Sequence, residues 1–147
     1  MSSDRTEYQD SDAVYTNDMT AFKTKNFSQT IRFLSPLAEQ GDAEAQHRCA
    51  IMYQNGLGVV ANEDKAVEMM RAAAEQGHAV AQHGLGFMYM EGECVEQNSL
   101  EAISWFEKAA EQGLVGSLTT LAMMYEEGVG IDKDPEKAKA LYKQAGF

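Results

Sequence analysis

A repeat of 36 residues constrains this chain more than any other feature of its sequence. The tetrapeptide Ala-Glu-Gln-Gly occurs three times at that spacing, at residues 38–41, 74–77 and 110–113. A fixed period of about 20–50 residues is typical of proteins that stack copies of one small unit. The chain is therefore predicted to form a row of similar units rather than one central core. Further positions recur without gaps: Met52/Met88/Met124, Tyr53/Tyr89/Tyr125, Gly56/Gly92/Gly128 and Ala66/Ala102/Ala138.

Each unit is predicted to contain two antiparallel helices. Apolar residues at helical spacing begin after Asp42, a good N-cap, and stop at Gly56, which suits the left-handed position at a helix end. The second helix is expected to open at an equivalent capping residue, Asn62, Asn98 or Asp134, and to run to the Ala-Glu-Gln-Gly stop. Small residues lie where the two helices must approach closely: Ala50/Gly86/Ala122 and Ala73/Ala109/Ala145.

The repeat extends towards the N-terminus in a weaker form, because Phe33 and Leu34 align with Met69 and Met70. Divergence of this kind is expected of a capping unit. The predicted fold is all-α, a solenoid of about eight helices. The predicted division is an acidic flexible tail (1–11) and a single repeat domain (12–147), which comprises a degenerate helix pair (12–41) and three full repeats (42–77, 78–113 and 114–147).

One stretch of the repeat resembles a known family. Residues 45–59 read Ala-x3-Cys-Ala-x-Met-Tyr-x2-Gly-x-Gly-Val, and residues 72–77 close the unit with Ala-Ala-Ala-Glu-Gln-Gly. This pattern resembles the Sel-one-like repeat, a family of the tetratricopeptide-like α-solenoids, over residues 12–147. The resemblance implies a right-handed α/α superhelical solenoid of antiparallel helix pairs. It also implies a scaffold or adaptor role, with no catalytic residues to carry over.

The charge of the chain limits its partners. The 147 residues include 12 Lys+Arg and 23 Asp+Glu, for a formal net charge of −11 and a pI near 4.6. Nucleic acid and anionic lipid both require a basic surface, so neither is expected as a partner. No apolar run approaches the roughly 18 residues of a membrane span. No signal peptide is visible, so a cytoplasmic location is expected; a leader removed before this sequence begins would instead place the protein in the periplasm or outside the cell.

Three histidines, His47, His78 and His83, raise the question of a metal site. His47 and His83 are equivalent residues of neighbouring units, and neighbouring helix pairs lie roughly 10 Å apart, too far for these two side chains to share an ion without a third ligand between them. They are predicted to be exposed polar residues on the wall of a groove. No metal and no cofactor are therefore expected.

The two cysteines do not indicate an enzyme. Cys49 occupies a position held elsewhere by Leu85 and Leu121, so it is predicted to be a small buried apolar residue. Cys94 replaces a loop glycine, and it carries backbone strain if that position requires a positive φ. Neighbouring glutamates raise the pKa of its thiol and reduce its reactivity. The chain is predicted not to be an enzyme.

The positions that vary between units are the candidates for partner binding. Residues at i, i+4 and i+7 share one face of the first helix, and the resemblance places first helices on the concave surface. An adaptable apolar floor with a polar rim suits an extended or helical peptide. Ordinary packing between units is the alternative explanation for the apolar positions. The predicted groove residues are His47, Ile51 and Gln54 in the first unit, His83, Phe87 and Met90 in the second, and Thr119, Met123 and Glu126 in the third.

The acidity is concentrated in the middle repeat, where Glu91, Glu93 and Glu96 crowd one loop. A basic segment of a protein or peptide partner could dock there, with an association rate that falls as salt rises. A solvated acidic face without a partner is the alternative. A second function class is a structural element whose uncapped C-terminal end drives weak self-association.

Overall fold

The computed structural model describes residues 26–147, and within that range the protein is all-α. The predicted tail (1–11) and the helix expected over 12–24 lie outside the described residues. None of the described helices is long and apolar enough to cross a membrane. The seven helices are α1 (Phe27–Glu39), α2 (Ala43–Asn55), α3 (Glu63–Glu75), α4 (Ala79–Glu91), α5 (Ser99–Glu111), α6 (Val115–Glu127) and α7 (Pro135–Gln144).

The predicted helix caps are confirmed. The side chain of Asp42 accepts a hydrogen bond from the backbone N–H of Ala45 at 2.9 Å, and Asn62, Asn98 and Asp134 make the equivalent bond at 3.0–3.1 Å. These bonds satisfy backbone donors that have no partner within the helix. The first helices end at Gly56, Gly92 and Gly128, whose φ angles of 67–70° are left-handed.

The core runs along the array instead of forming one centre. Each helix packs against the next helix in the chain, and one cluster of buried side chains draws on four successive helices, α2 to α5. The alanines Ala50, Ala66, Ala102 and Ala122 are fully buried. Small side chains at these places let helix backbones approach closely, so the stability of each unit depends on its neighbours.

Buried glutamines connect one unit to the next. The Gln46 amide donates to the carbonyl of Ala38 at 3.1 Å and accepts from the Gln76 amide at 2.8 Å. Gln82 repeats the bond to the preceding unit by donating to the carbonyl of Ala74 at 3.1 Å, and its bond with Gln112, at 2.9 Å, lies within its own unit. In the third unit the equivalent residue is Leu118, which is buried against apolar neighbours. The hydrogen-bonded link therefore exists at two interfaces and is replaced by apolar packing at the third.

In the first and third full units, the second loop glycine allows the loop to touch the preceding unit. The φ of Gly58 is 74°, and a Cβ there would lie 2.6 Å from the backbone nitrogen of Ser28. Cys94 holds the equivalent position with a φ of 68°, as expected from the alignment. A residue with a side chain adopts this conformation at a cost of about 1–2 kcal/mol.

Substitution of Gly58 tests whether this close approach matters. We expect Gly58→Ala to lower the free energy of unfolding by about 1–3 kcal/mol more than Gly56→Ala, because overpacking adds to the left-handed strain that both variants share. Gly56 is a matched control: its φ is 67°, and a Cβ there would have its nearest neighbour at 3.4 Å. Urea denaturation of both variants measures the difference. Equal losses would show that the loop does not depend on the contact.

Candidate functional site

The first helices of the three full units lie side by side. Glu44 of α2 is 2.8 Å from His78, the N-cap of α4, and His83 of α4 is 2.7 Å from Ser117 in the first turn of α6. These contacts join α2 to α4 and α4 to α6. We refer to these three helices as the first-helix layer.

The three apolar residues of the predicted groove occupy equivalent positions on this layer. Ile51 and Met123 are half-buried, and Ile51 packs against the core. Phe87, on the middle helix, is the most accessible of the three with 38% of its surface exposed. Packing between units, the alternative explanation, therefore accounts for the buried part of the Ile51 side chain. Phe87, in contrast, presents a substantial apolar surface to solvent.

The ring of Phe87 is held by two other rings. Its centroid lies 4.9 Å from that of His83 and 5.5 Å from that of Phe106, both in edge-to-face geometry. The His83 and Phe106 rings are themselves 5.3 Å apart. Aromatic pairs at these distances contribute about 0.5–1.5 kcal/mol beyond their burial. The exposed face of Phe87 is thus part of a fixed aromatic cluster, which reduces the entropy that a partner would lose by ordering it.

The predicted groove residues near the C-terminal ends of the first helices are Gln54, Met90 and Glu126, and one of them is not at the surface. Met90 is only 7% exposed and packs in the core between the second and third units, so it does not line an open groove. Gln54 donates a hydrogen bond to Glu93, and Glu126 accepts one from Tyr142 at 3.2 Å. Gln54 and Glu126 thus each contact a neighbouring element through a hydrogen bond at the surface.

The polar residues near the start of each first helix also make intramolecular contacts. His47 is half-buried and stacks on His78, with ring centroids 5.0 Å apart. Thr119 donates to the backbone carbonyl of Gly116 at 3.0 Å. Burial lowers the pKa of His47, and the nearby charge of His78 lowers it further against the opposing effect of Glu44. Burial also lowers the pKa of His83.

The structure brings together three groups that the sequence prediction kept apart. Donor atoms of Glu44, His47 and His78 all lie within 4.8 Å of one another. The sequence comparison paired His47 with His83 because they are equivalent residues. His78 instead aligns with the N-cap Asp42, and its position at the start of α4 places it over the first turn of α2. The alignment of His78 with Asp42 is the sequence feature from which its position at the start of a first helix could have been predicted.

The acidic loop lies next to the first-helix layer. Glu91, Glu93 and Glu96 are all exposed, and the hydrogen bond between Gln54 and Glu93 connects this acidic patch to the end of α2. Cys94, in the same loop, is half-buried. Burial raises the pKa of the Cys94 thiol, with further increases from Glu63 and Glu93. A protonated thiol is a poor nucleophile.

Two further groups with nucleophilic chemistry, Cys49 and Ser117, are inaccessible. Cys49 is 1% exposed, and burial raises the pKa of its thiol to about 11. Ser117 is hydrogen-bonded to His83, but it has no exposed surface from which to reach a substrate. The contact between Ser117 and His83 therefore serves to join α4 to α6.

Comparison with known proteins identifies the repeat. A family model described as the Sel1 repeat matches residues 43–78, 79–114 and 118–146. The chain belongs to the Sel1 repeat family. This confirms the resemblance drawn from the sequence.

Solved structures of Sel1 repeat proteins are similar over most of this chain. One from Oxalobacter formigenes is 32% identical with a TM-score of 0.80; the match covers 90% of this chain and 53% of that one. A protective antigen present in uropathogenic Escherichia coli strains, which displays an SLR fold, is 30% identical with a TM-score of 0.82 and matches over 90% and 29%. The chain thus spans about half or less of these relatives. Comparison with curated proteins found no match.

The aromatic cluster of this Sel1 repeat protein depends on a pair of compensating residues. A Cβ at Gly86 would lie 2.8 Å from the ring of Phe106. The equivalent pair in the preceding unit is Ala50 and Met70. In its present position the Phe106 ring leaves no room for a Cβ on α4, and Gly86 provides that room. This exchange creates the aromatic surface on which Phe87 rests.

A double-mutant cycle tests this compensation. In the wild type, we expect the gain in helix propensity from Gly86→Ala, about 1 kcal/mol, to be offset or exceeded by overpacking against Phe106. In a Phe106→Met background, which restores the pairing of the preceding unit, the same change should be stabilising. The expected coupling in the free energy of unfolding is about 1–3 kcal/mol. An equal effect in both backgrounds would contradict the account.

Proposed function

We propose that this protein is a non-catalytic scaffold that holds a protein or peptide partner against the first-helix layer, with Phe87 as the central contact. The observation that carries the proposal is the exposed Phe87 ring, held edge-on by His83 and Phe106. A fixed aromatic side chain offers a large contact area at low entropic cost, which is typical of binding hot spots. Sel1 repeats generally mediate protein interactions, and this supports the same class of function.

The surroundings of Phe87 define the chemistry of the partner. Ile51 and Met123 supply partly exposed apolar surface on either side of it, so the partner presents an apolar side chain at its centre. The unit over residues 78–113 contains one lysine and six glutamates. A partner segment with basic residues beside its apolar side chain would complement this unit, and the attraction would increase the association rate at low salt. The concave position of the layer is part of this proposal.

The burial of Cys49 and Ser117 and the raised pKa of both cysteines support a scaffold rather than an enzyme. The thiol of Cys49 and the hydroxyl of Ser117 have almost no exposed surface, and the pKa of each cysteine is raised by burial. A nucleophile needs access and activation, and neither group combines the two.

A substitution at Phe87 tests the proposed function. We expect Phe87→Asp to weaken partner capture by about tenfold or more, because it removes the central apolar contact and adds charge to an acidic surface. The measurement is quantitative capture of partners from the source cells by the purified full chain. Captured species are then titrated individually against each variant.

Leu100→Asp is the matched control. Leu100 lies on α5, outside the first-helix layer, and is 71% exposed, so the change adds the same charge to an exposed apolar position. Circular dichroism and thermal melting establish that both variants fold. Partners retained by the Leu100 variant and lost by the Phe87 variant support the proposal; equal binding by both variants contradicts it.

A second candidate function is self-association through the face formed by α6 and α7. An open pocket of about 660 Å³ lies on this face, and Phe147 beside it is 80% exposed. We expect this function to show as a mass that rises with concentration in light scattering and falls after Phe147→Asp. A constant monomer mass would remove this candidate. The pocket is lined by Glu126, Pro135, Ala138, Lys139, Tyr142, Lys143 and Phe147.

A further inference from the structure

We propose that Glu44, His47 and His78 form a binding site for a divalent cation of the zinc class at the junction of the first two full units. The site goes beyond the proposed scaffold function and does not depend on it. It would connect the first turn of α2 to the first turn of α4.

The backbone places the three side chains together. Glu44 and His47 are three residues apart on α2, so they project from the same face of the helix. His78 is the N-cap of α4, and its Nε2 atom lies 2.8 Å from Oε1 of Glu44. The His47 ring is stacked on the His78 ring. Two residues of one helix and one residue of the next unit thus meet at a half-buried position.

The distances are close to those that coordination requires. Bonds from zinc to nitrogen or oxygen are about 2.0–2.2 Å, so the ligand atoms of a tetrahedral site lie roughly 3.4 Å apart. The donor atoms of the three residues lie within 4.8 Å of one another. To coordinate one ion, the side chains must therefore rotate so that the donor atoms move closer by up to about 1.4 Å and the two stacked rings turn towards the metal.

The donor set selects the class of metal. Two imidazoles and one carboxylate bind Zn²⁺ and similar transition-metal ions, usually with a water molecule in a fourth position. Mg²⁺ and Ca²⁺ prefer sites made of oxygen ligands, so they are expected to bind poorly here. The side chain of Glu44 is 42% exposed, which leaves an approach from solvent.

Two existing interactions compete with the metal. Nδ1 of His78 accepts the backbone N–H of Ala81 at 3.1 Å, so in the neutral ring Nε2 carries the proton that faces Glu44. A metal at Nε2 takes the place of that proton, and the ring then holds its proton at Nδ1 and gives up the cap. The other oxygen of Glu44 contacts Arg48 at 2.7 Å, which adds positive charge nearby. We therefore expect weaker binding than at a structural zinc site.

The site is specific to one junction of the array. At the next junction, the residues equivalent to Glu44, His47 and His78 are Val80, His83 and Leu114, which offer a single donor. The repeat fold therefore does not require this group of residues. His83 provides an internal control, because it has the same position in its unit as His47 without the other two donors.

Titration with Zn²⁺ tests the proposal. The untagged full chain, freed of metal with a chelator, is titrated with zinc chloride in a calorimeter and melted with and without zinc. We expect one ion per chain and a rise in the melting temperature, because a ligand that binds only the folded state stabilises it. Glu44→Gln and His47→Gln should each weaken binding at least tenfold. His83→Gln should leave the affinity unchanged.

Any one of three results would contradict the proposed zinc site. These results are no saturable binding of Zn²⁺, Mg²⁺ binding as tight as Zn²⁺ binding, and loss of affinity in the His83 variant equal to that in the His47 variant. Melting of each metal-free variant separates a lost ligand from a lost fold. The nitrogen resonances of the imidazoles give an independent readout: Zn²⁺ should shift those of His47 and His78 and spare those of His83.

Discussion

The packing of each helix pair against the next is the interaction on which the rest of this structure depends. Over residues 26–147 the buried side chains form clusters along the array rather than one central core, so every unit is stabilised by its neighbours. Small residues such as Ala50 and Ala122 make the close approach of helices possible, and both are completely buried. Buried glutamines add hydrogen bonds at two junctions, where Gln46 and Gln82 donate to the carbonyls of Ala38 and Ala74 in the preceding unit.

The proposed function follows from how this packing varies along the array. The middle unit combines Gly86 with Phe106, and this pair brings a large ring beneath the first-helix layer. Phe87 rests on that ring with more than a third of its surface exposed. Elsewhere on the layer, Ile51 and Met123 are more enclosed. The middle unit thus acquires a distinctive surface because a smaller residue, Gly86, is paired with a larger one, Phe106, where the preceding unit has Ala50 and Met70.

Much of the fold could be predicted because the repeat compares equivalent residues directly. The alignment correctly identified the caps Asp42 and Asn62 and the left-handed loop position of Cys94. The alignment could not show contacts between residues that occupy different repeat positions in adjacent units. For this reason it missed the meeting of Glu44 with His78 and the burial of Met90 beneath the third unit. Whether a varying residue is exposed depends on which neighbour covers it, and a column comparison does not contain that information.

In the proposed function, the first-helix layer receives the partner and the second helices do not. Backbone amide shifts of the labelled full chain during titration with a captured partner would measure this most directly. We expect the largest shifts on α2, α4 and α6 around Phe87, with small shifts on the exposed faces of α3, α5 and α7. Shifts concentrated on those second helices, with the surroundings of Phe87 unchanged, would contradict it.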